Sequence, residues 1–262
     1  MSKAIAIEDL GVTYKSSRGL YEALRDINLH IDAGEFVCIV GPSGCGKTTL
    51  LNVLAGFLPA TSGRVLVDGK PVTAPGPDRG VVFQQYAVFP WLTVRENVEF
   101  GLKLTINKRL AREIKEITDH YIDLVGLGDF QDSFPKELSG GMRQRVALAR
   151  SYAVDPAVLL MDEPFGALDA QTRQHMQESL LKILAKEKRT VVFITHGVEE
   201  SVFLSNRVVV LGARPGRVRK VVTVDLPEER NVAILTNPRF VGLRSEVESL
   251  VREEFTEKAE QD

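Results

Sequence analysis

The sequence predicts an α/β fold in which a sheet core carries an inserted helical segment. Two observations predict it. Short apolar runs rich in β-branched residues recur at Phe36 to Val40, Gly80 to Phe83, Val158 to Met161 and Thr190 to Ile194, each of a length that suits a buried strand. From Gln85 to Val154 the texture turns helical, with Leu110, Ile114, Ile117, Tyr121, Leu124 and Val125 at helical spacing and charged residues between them.

At 262 residues and 44% hydrophobic, the chain can bury one large core, or one core with a smaller inserted lobe. A net charge of -2 supplies no basic field for a nucleic-acid backbone, which counts against a DNA or RNA machine. No stretch approaches the ~18 consecutive apolar residues that span a bilayer, and the opening MSKAIAIEDL carries no long apolar signal region. The expectation is a chain that stays in the cytoplasm. Two cysteines, Cys38 and Cys45, are too few for a disulfide framework and are expected as reduced thiols.

In chain order, Ala4 to Leu10 and Ile27 to Ile31 read as strands, separated by polar Lys15 to Gly19 and followed by a turn at Asp32 to Gly34. Tyr14 offers an aromatic face that can stack on a nucleotide base, and Tyr21 competes for that role. The strand Phe36 to Val40 runs into GPSGCGKT, Gly41 to Thr48, which fits G-x-x-x-x-G-K-[ST] at every fixed position before a helix opens. Glycines at 41, 44 and 46 let successive backbone N–H groups converge on an anion at the positive end of that helix. Lys47 then reaches the β and γ phosphates, and Thr48 offers a hydroxyl to magnesium. A nucleoside triphosphate is the expected ligand. Cys45, at a helix N-terminus, is expected either to have a lowered thiol pKa, with alkylation blocking nucleotide binding, or to be an inert small residue.

The loop helix ends near Gly56 and Pro59, Arg64 to Asp68 gives another strand, and Pro71 to Arg79 a proline-rich turn. Gln84 stands at the end of the strand Gly80 to Phe83, where it can orient a water or complete a magnesium shell. At the entrance to the helical stretch, YAVFPWL (Tyr86 to Leu92) carries three aromatic residues, including the sole tryptophan, Trp91. Such a cluster serves either as core or as a docking patch. In LSGGMRQRV, from Leu138, Ser139 is a helix N-cap and Gly140 with Gly141 leaves N–H groups free for a second anion site.

The strand Val158 to Met161 ends in Asp162 and Glu163, one carboxylate to hold magnesium through water and its neighbour to polarise the attacking water. Thr190 to Ile194 likewise ends in Thr195 and His196, placing the histidine where ligands bind in open α/β sheets, as a sensor of the γ phosphate. Arg207 to Leu211 and Arg217 to Asp225 read as the last strands. Phe240, Leu243, Val247, Leu250, Val251 and Phe255 mark an amphipathic C-terminal helix expected to pack back on the core, with a frayed polar end at Glu257 to Asp262.

Together these residues resemble the ATP-binding subunit of an ABC transporter over nearly the whole chain. The motifs stand in that family's order: GPSGCGKT, VFQ ending at Gln84, LSGGMRQRV, VLLMDEP ending at Pro164, GALD ending at Asp169, and TH at His196. The resemblance implies a P-loop NTPase (RecA-like) core with an antiparallel β subdomain and an inserted α-helical subdomain. Residues 1–84 would be the first part of the nucleotide-binding core with the β subdomain, and 85–154 the helical subdomain with the signature. Residues 155–230 would be the second part of the core, and 231–262 a C-terminal helical extension.

It also implies ATP and Mg2+ as cofactors and a set of roles. Tyr14 stacks on adenine, and Gly41, Pro42, Ser43, Gly44, Cys45, Gly46, Lys47, Thr48 and Thr49 hold the phosphates. Glu163 is the catalytic carboxylate, assisted by His196, Gln84 and Lys47, with Thr48, Gln84 and Asp162 at the metal. Ser139, Gly140, Gly141, Met142 and Asp169 act on nucleotide across a head-to-tail dimer, so the first partner is a second ATP-binding subunit. A transmembrane permease would dock near Tyr86, Phe89 and Trp91, with an extracytoplasmic solute-binding protein engaged indirectly. The resemblance places the subunit peripherally on the cytoplasmic face of the cell membrane, with no nucleic-acid partner.

A narrower likeness, in APGPDRGVVFQ from Ala74, FPWLTVRENV from Phe89, RPGRV from Arg214 and the C-terminal helix, is to importers of nitrate, alkanesulfonates, taurine and similar small solutes. Three positions depart from the family's pattern: Gly197 and Asn206 where aspartate is usual, and Met142 for a frequent glutamine. Two other classes compete. A permease-free cassette acting in DNA repair or on the ribosome would bring basic extensions or long coiled coils, and a small-molecule kinase would leave LSGGMRQRV and Asp169 without a task.

Overall fold

The structure is a computed structural model that describes residues 2–17, 19–84, 87–104 and 110–259, the last five by backbone alone. In chain order it builds β1 (Ile5–Ser16), β2 (Gly19–Ile31), β3 (Phe36–Val40), α1 (Lys47–Ala55), β4 (Ser62–Val67), β5 (Lys70–Pro71) and β6 (Arg79–Val82). Then come α2 (Val94–Leu102), α3 (Ala111–Leu124), α4 (Gly140–Ala153), β7 (Val158–Asp162), α5 (Ala170–Lys186) and β8 (Thr190–Ile194). The chain closes with α6 (Val198–Leu204), β9 (Arg207–Gly212), β10 (Arg217–Thr223) and α7 (Pro238–Ala259). It divides into two compact units: Met1–Gly76 with Lys188–Asp262, and Pro77–Glu187.

In the first unit β3 lies between β8 and β9 and is parallel to both, with Phe36 opposite Val191 and Val37 opposite Arg207. Every residue of β3 and β8 is buried. Strands covered on both faces can be apolar throughout, which is why the sequence shows unbroken runs there instead of alternation. β10 closes that side antiparallel to β9. A separate antiparallel sheet runs β2-β1-β4-β5.

β1 and β2 are longer than their apolar runs suggest. β1 continues past Leu10 to Ser16, and Tyr14 pairs across the hairpin with Tyr21. The register shifts between Ile7 and Leu10 and again on to Thr13, with Asp9 in the left-handed region at φ 47°. Each bulge adds a residue and flips the inward phase, so the period-two signal is lost while the pairing continues.

Two connections secure the C-terminal part of this unit. Phe240, Leu243 and Val247 of α7 are buried along one stripe, as the periodicity requires. Arg230, itself buried, donates to the carbonyls of Val202 (3.2 Å), Phe203 (3.0 Å) and Ser205 (2.8 Å), which satisfies the otherwise orphaned C-terminal end of α6.

In the second unit β6 and β7 pair in parallel, Gly80 opposite Leu159. The stretch 85–154 contains α2, α3 and α4, and the compact unit around it also takes in both strands and α5. α2 begins with a capping box: Thr93 Oγ1 accepts from Glu96 N (3.2 Å) while Glu96 Oε2 accepts from Thr93 N (2.8 Å).

Candidate nucleotide site

The site residues fall in two sets, one in each unit. In the first unit, α1 starts straight after Gly46, which sits at φ 91° and gives no side-chain cap, and no acidic residue stands in the first turn. The first-turn N–H groups and the positive end of the helix are therefore open to an outside anion. A Cβ on Gly46 would come 2.6 Å from Leu24 Cδ2, so a side chain there would push the helix start off the sheet. Lys47 is only 5% exposed, and its ammonium donates to the carbonyls of Gly41 (2.8 Å) and Pro42 (3.1 Å), folding it over the loop.

Ser43, Gly44 and Thr48 are exposed, and Pro42 is buried beneath them. N–H groups, one ammonium and hydroxyls, without a carboxylate in the loop, form a donor set that fits a polyphosphate. Among the described residues no group of three or more His, Cys, Asp or Glu side chains gathers to hold a metal ion.

Tyr14 is tied to this loop helix, its hydroxyl 3.2 Å from Thr49 Oγ1, and its cross-strand neighbour is the competing Tyr21. His196 is exposed just past β8. Its neighbour Thr195 donates to Glu200 Oε2 and accepts from Gly197 N (2.9 Å), so the carboxylate nearest this turn comes from the first turn of α6 rather than from position 197. Asn206 Oδ1 accepts from Phe36 N (2.8 Å), at the end of β3 away from the phosphate loop.

Cys45 overturns one expectation. The thiol is 1% exposed, and burial pushes its pKa above the ordinary thiol value despite the Lys47 ammonium and the N–H groups beside it. Desolvation wins because the side chain points inward rather than towards the helix mouth. Cys38, fully buried, is pushed up further. Iodoacetamide at neutral pH is therefore expected to label the native protein at least about tenfold more slowly than a free thiol, with both cysteines reacting once it is denatured. Mass spectrometry of timed aliquots checks this; fast native labelling would restore the activated thiolate.

In the second unit the two strand ends meet. Gln84 Nε2 donates to Glu163 Oε2 at 3.2 Å. Glu163 lies at φ 45°, a left-handed conformation that costs a non-glycine residue about 1 kcal/mol or more. Its carbonyl accepts from Gly166 N (3.1 Å), which holds the turn. Asp162, the last residue of β7, is half-buried.

Ser139 caps α4, its Oγ accepting from Met142 N (3.2 Å), and Gly140 is the first residue of that helix. A Cβ on Gly141 would come 2.7 Å from Thr172 Cγ2 of α5. Asp169 caps α5 through Thr172 N (3.0 Å), and hydrogen bonds from Thr172 hold its carboxyl below the usual carboxylate range. Thr172 thus joins the signature glycine and Asp169.

Tyr86 lies outside the described residues. Phe89 packs against Phe100 (centroids 4.5 Å apart) and Trp91 (5.6 Å), with the Arg150 guanidinium 5.0 Å over its ring, and Trp91 is 69% exposed. Sequence reasoning missed what holds this loop. Buried Asn97 accepts from Phe89 N (2.8 Å) and donates to the carbonyls of Phe89 (3.2 Å), Leu92 (3.0 Å) and Thr93 (2.9 Å). The T-x-x-E signature at Thr93 to Glu96 marks the helix start from which Asn97 reaches back.

A family model described as ABC transporter matches residues 24–166. The nitrate import ATP-binding protein NrtD of Synechocystis sp. is 49% identical over 262 residues, 98% of each chain. The bicarbonate transport ATP-binding protein CmpC of Synechococcus elongatus is 46% identical over 94% of this chain and 38% of its own length. Among solved structures, the dimeric ATP-binding cassette MJ0796 bound to ADP and Pi superposes with a TM-score of 0.73 at 32% identity, covering 85% of this chain and all of that one.

Proposed function

The chain belongs to the ABC transporter family as an ATP-hydrolysing, ATP-binding subunit, and from that premise we propose that it binds MgATP and powers import of a small solute such as nitrate, a sulfonate or taurine. The observation that carries the nucleotide reading is the uncapped N-terminus of α1 with Lys47 folded into its loop. The solute class is supported by relatives named for nitrate and bicarbonate, both compact oxyanions.

In this reading the N–H groups from Gly44 to Thr49 and the Lys47 ammonium bind the β and γ phosphates, and Tyr14 stacks on the base. Glu163 takes the proton from the attacking water as the γ phosphoryl leaves for it, and Gln84 keeps the carboxylate aimed. His196 holds a γ-phosphate oxygen. A magnesium ion, held by Thr48, Asp162 and Gln84, would neutralise charge on the phosphates.

Ser139 to Met142 and Asp169 act on the nucleotide of a second copy. The dimeric cassette among the structural neighbours supports that arrangement. Among the described residues no helix is long and apolar enough to cross a membrane. A separate permease, seated against Phe89 and Trp91, supplies the channel, with a solute-binding protein on its far side. The subunit itself sits on the cytoplasmic face. A strain lacking this gene is expected to lose uptake of one labelled solute among nitrate, taurine and alkanesulfonates. The wild-type gene should restore it and a Lys47→Ala gene should not. Unchanged uptake of every such solute would overturn the import reading.

A further inference from the structure

Behind the phosphate loop runs the turn between β9 and β10, residues 213–216. A Cβ on Gly216 would collide with the Cys45 carbonyl oxygen, and one on Gly41 with that of Leu211. Gly216 N donates to Ala23 O and Gly216 O accepts from Arg25 N, both at 2.9 Å, which stitches the turn to β2. The backbone of the loop is thus pressed at Gly41 and at Cys45 against residues 211–216, with little slack for one to move without the other.

What anchors the turn on its outer side is a buried carboxylate with no part in the chemistry described above. Glu254, near the end of α7, is only 7% exposed. Its Oε2 accepts from Ala213 N (3.3 Å), and its Oε1 faces Arg219 Nε of β10 at 3.2 Å. A Cβ on Gly212 would lie 2.7 Å from Oε2, so a side chain there would displace the carboxylate. Beyond Val247 the described side chains of α7 are half-buried or exposed, Glu254 excepted. A carboxylate is buried only where partners offset its desolvation, and here the partners are the turn and the strand that leaves it.

We propose that Glu254 is a positioning residue of the nucleotide site: by fixing the 212–216 turn it fixes the backbone of the phosphate loop, so that docking of α7 sets affinity for nucleotide. The inference rests on reading Gly41 to Thr48 as the nucleotide loop. It connects the C-terminal helix to the phosphates through one carboxylate and one turn.

The test uses the full chain as wild type, Glu254→Ala, Glu254→Gln and, as a control, Glu248→Gln, an exposed neighbour on α7 paired with Arg252 (3.2 Å). Binding of a fluorescent ATP analogue, the KM for ATP, kcat, and the rise in melting temperature on adding MgATP are measured for each. Glu254→Ala is expected to weaken analogue binding and raise KM about fivefold with kcat within about twofold. Glu254→Gln, which keeps an acceptor for Ala213 N, should recover most of the loss, and Glu248→Gln should match wild type.

The MgATP-induced rise in melting temperature reads affinity even if the apo variant melts early. Equal affinity in Glu254→Ala and wild type would overturn the inference, as would a fall in kcat at constant KM. A wild-type chain that binds no analogue would overturn the functional reading and this inference with it; one that binds while Glu254→Ala binds equally overturns this inference alone.

Discussion

Glu163→Gln is expected to bind MgATP as tightly as wild type while losing about a hundredfold or more of its steady-state turnover. Gln is nearly isosteric, and its amide oxygen still accepts from Gln84 Nε2, the 3.2 Å contact that aims the native side chain. The left-handed backbone at position 163 is an equal burden to either residue. What the substitution removes is the basic oxygen that, in the proposed mechanism, takes a proton from water, a step with no substitute among neutral amides. Phosphate release measured beside equilibrium binding checks both halves. Normal turnover would strip Glu163 of its role.

Lys47→Ala should act at the other half of the cycle, raising the dissociation constant for ATP by about a hundredfold. The native ammonium is already desolvated and held by two loop carbonyls, Gly41 and Pro42, so in the proposed site it would meet a phosphate oxygen without the cost of ordering a free side chain. Truncation loses that charge and unties the loop from within. Arg is no substitute, because a larger planar head has no room at a position this buried. Titration calorimetry gives the answer directly, and a change within about threefold would mean that the helix N-terminus alone carries the anion.

The parts of the molecule legible in the sequence are those fixed by neighbours along the chain. β3 and β8 stand where their unbroken apolar runs are, because burial on both faces leaves an unmistakable mark. α1 begins and ends at the glycines that frame it, Gly46 and Gly56. Gln84, Glu163 and His196 could be singled out because each follows a strand by a residue or two, and Asp162 because it ends one.

Part of what escaped depends on residues far apart in the chain. Burial of Cys45 comes from packing that brings Leu24 and Gly216 to the loop, and no helix-terminus argument reveals that. The Thr195 to Glu200 hydrogen bond looks in the sequence like two unrelated polar residues. Asn97 was hidden for a different reason: a polar residue in an amphipathic helix reads as solvent-facing until the loop folds over it.

Arg230 bears on where the molecule can be cut. Because its guanidinium closes the end of α6, it belongs by energy to the body of the protein, although it stands in the segment leading to the tail. The natural seam for grafting or exchanging a C-terminal appendage is therefore after Arg230 and not at the end of the last strand. A splice placed earlier would take the guanidinium away from the carbonyls of Val202, Phe203 and Ser205 at the end of α6.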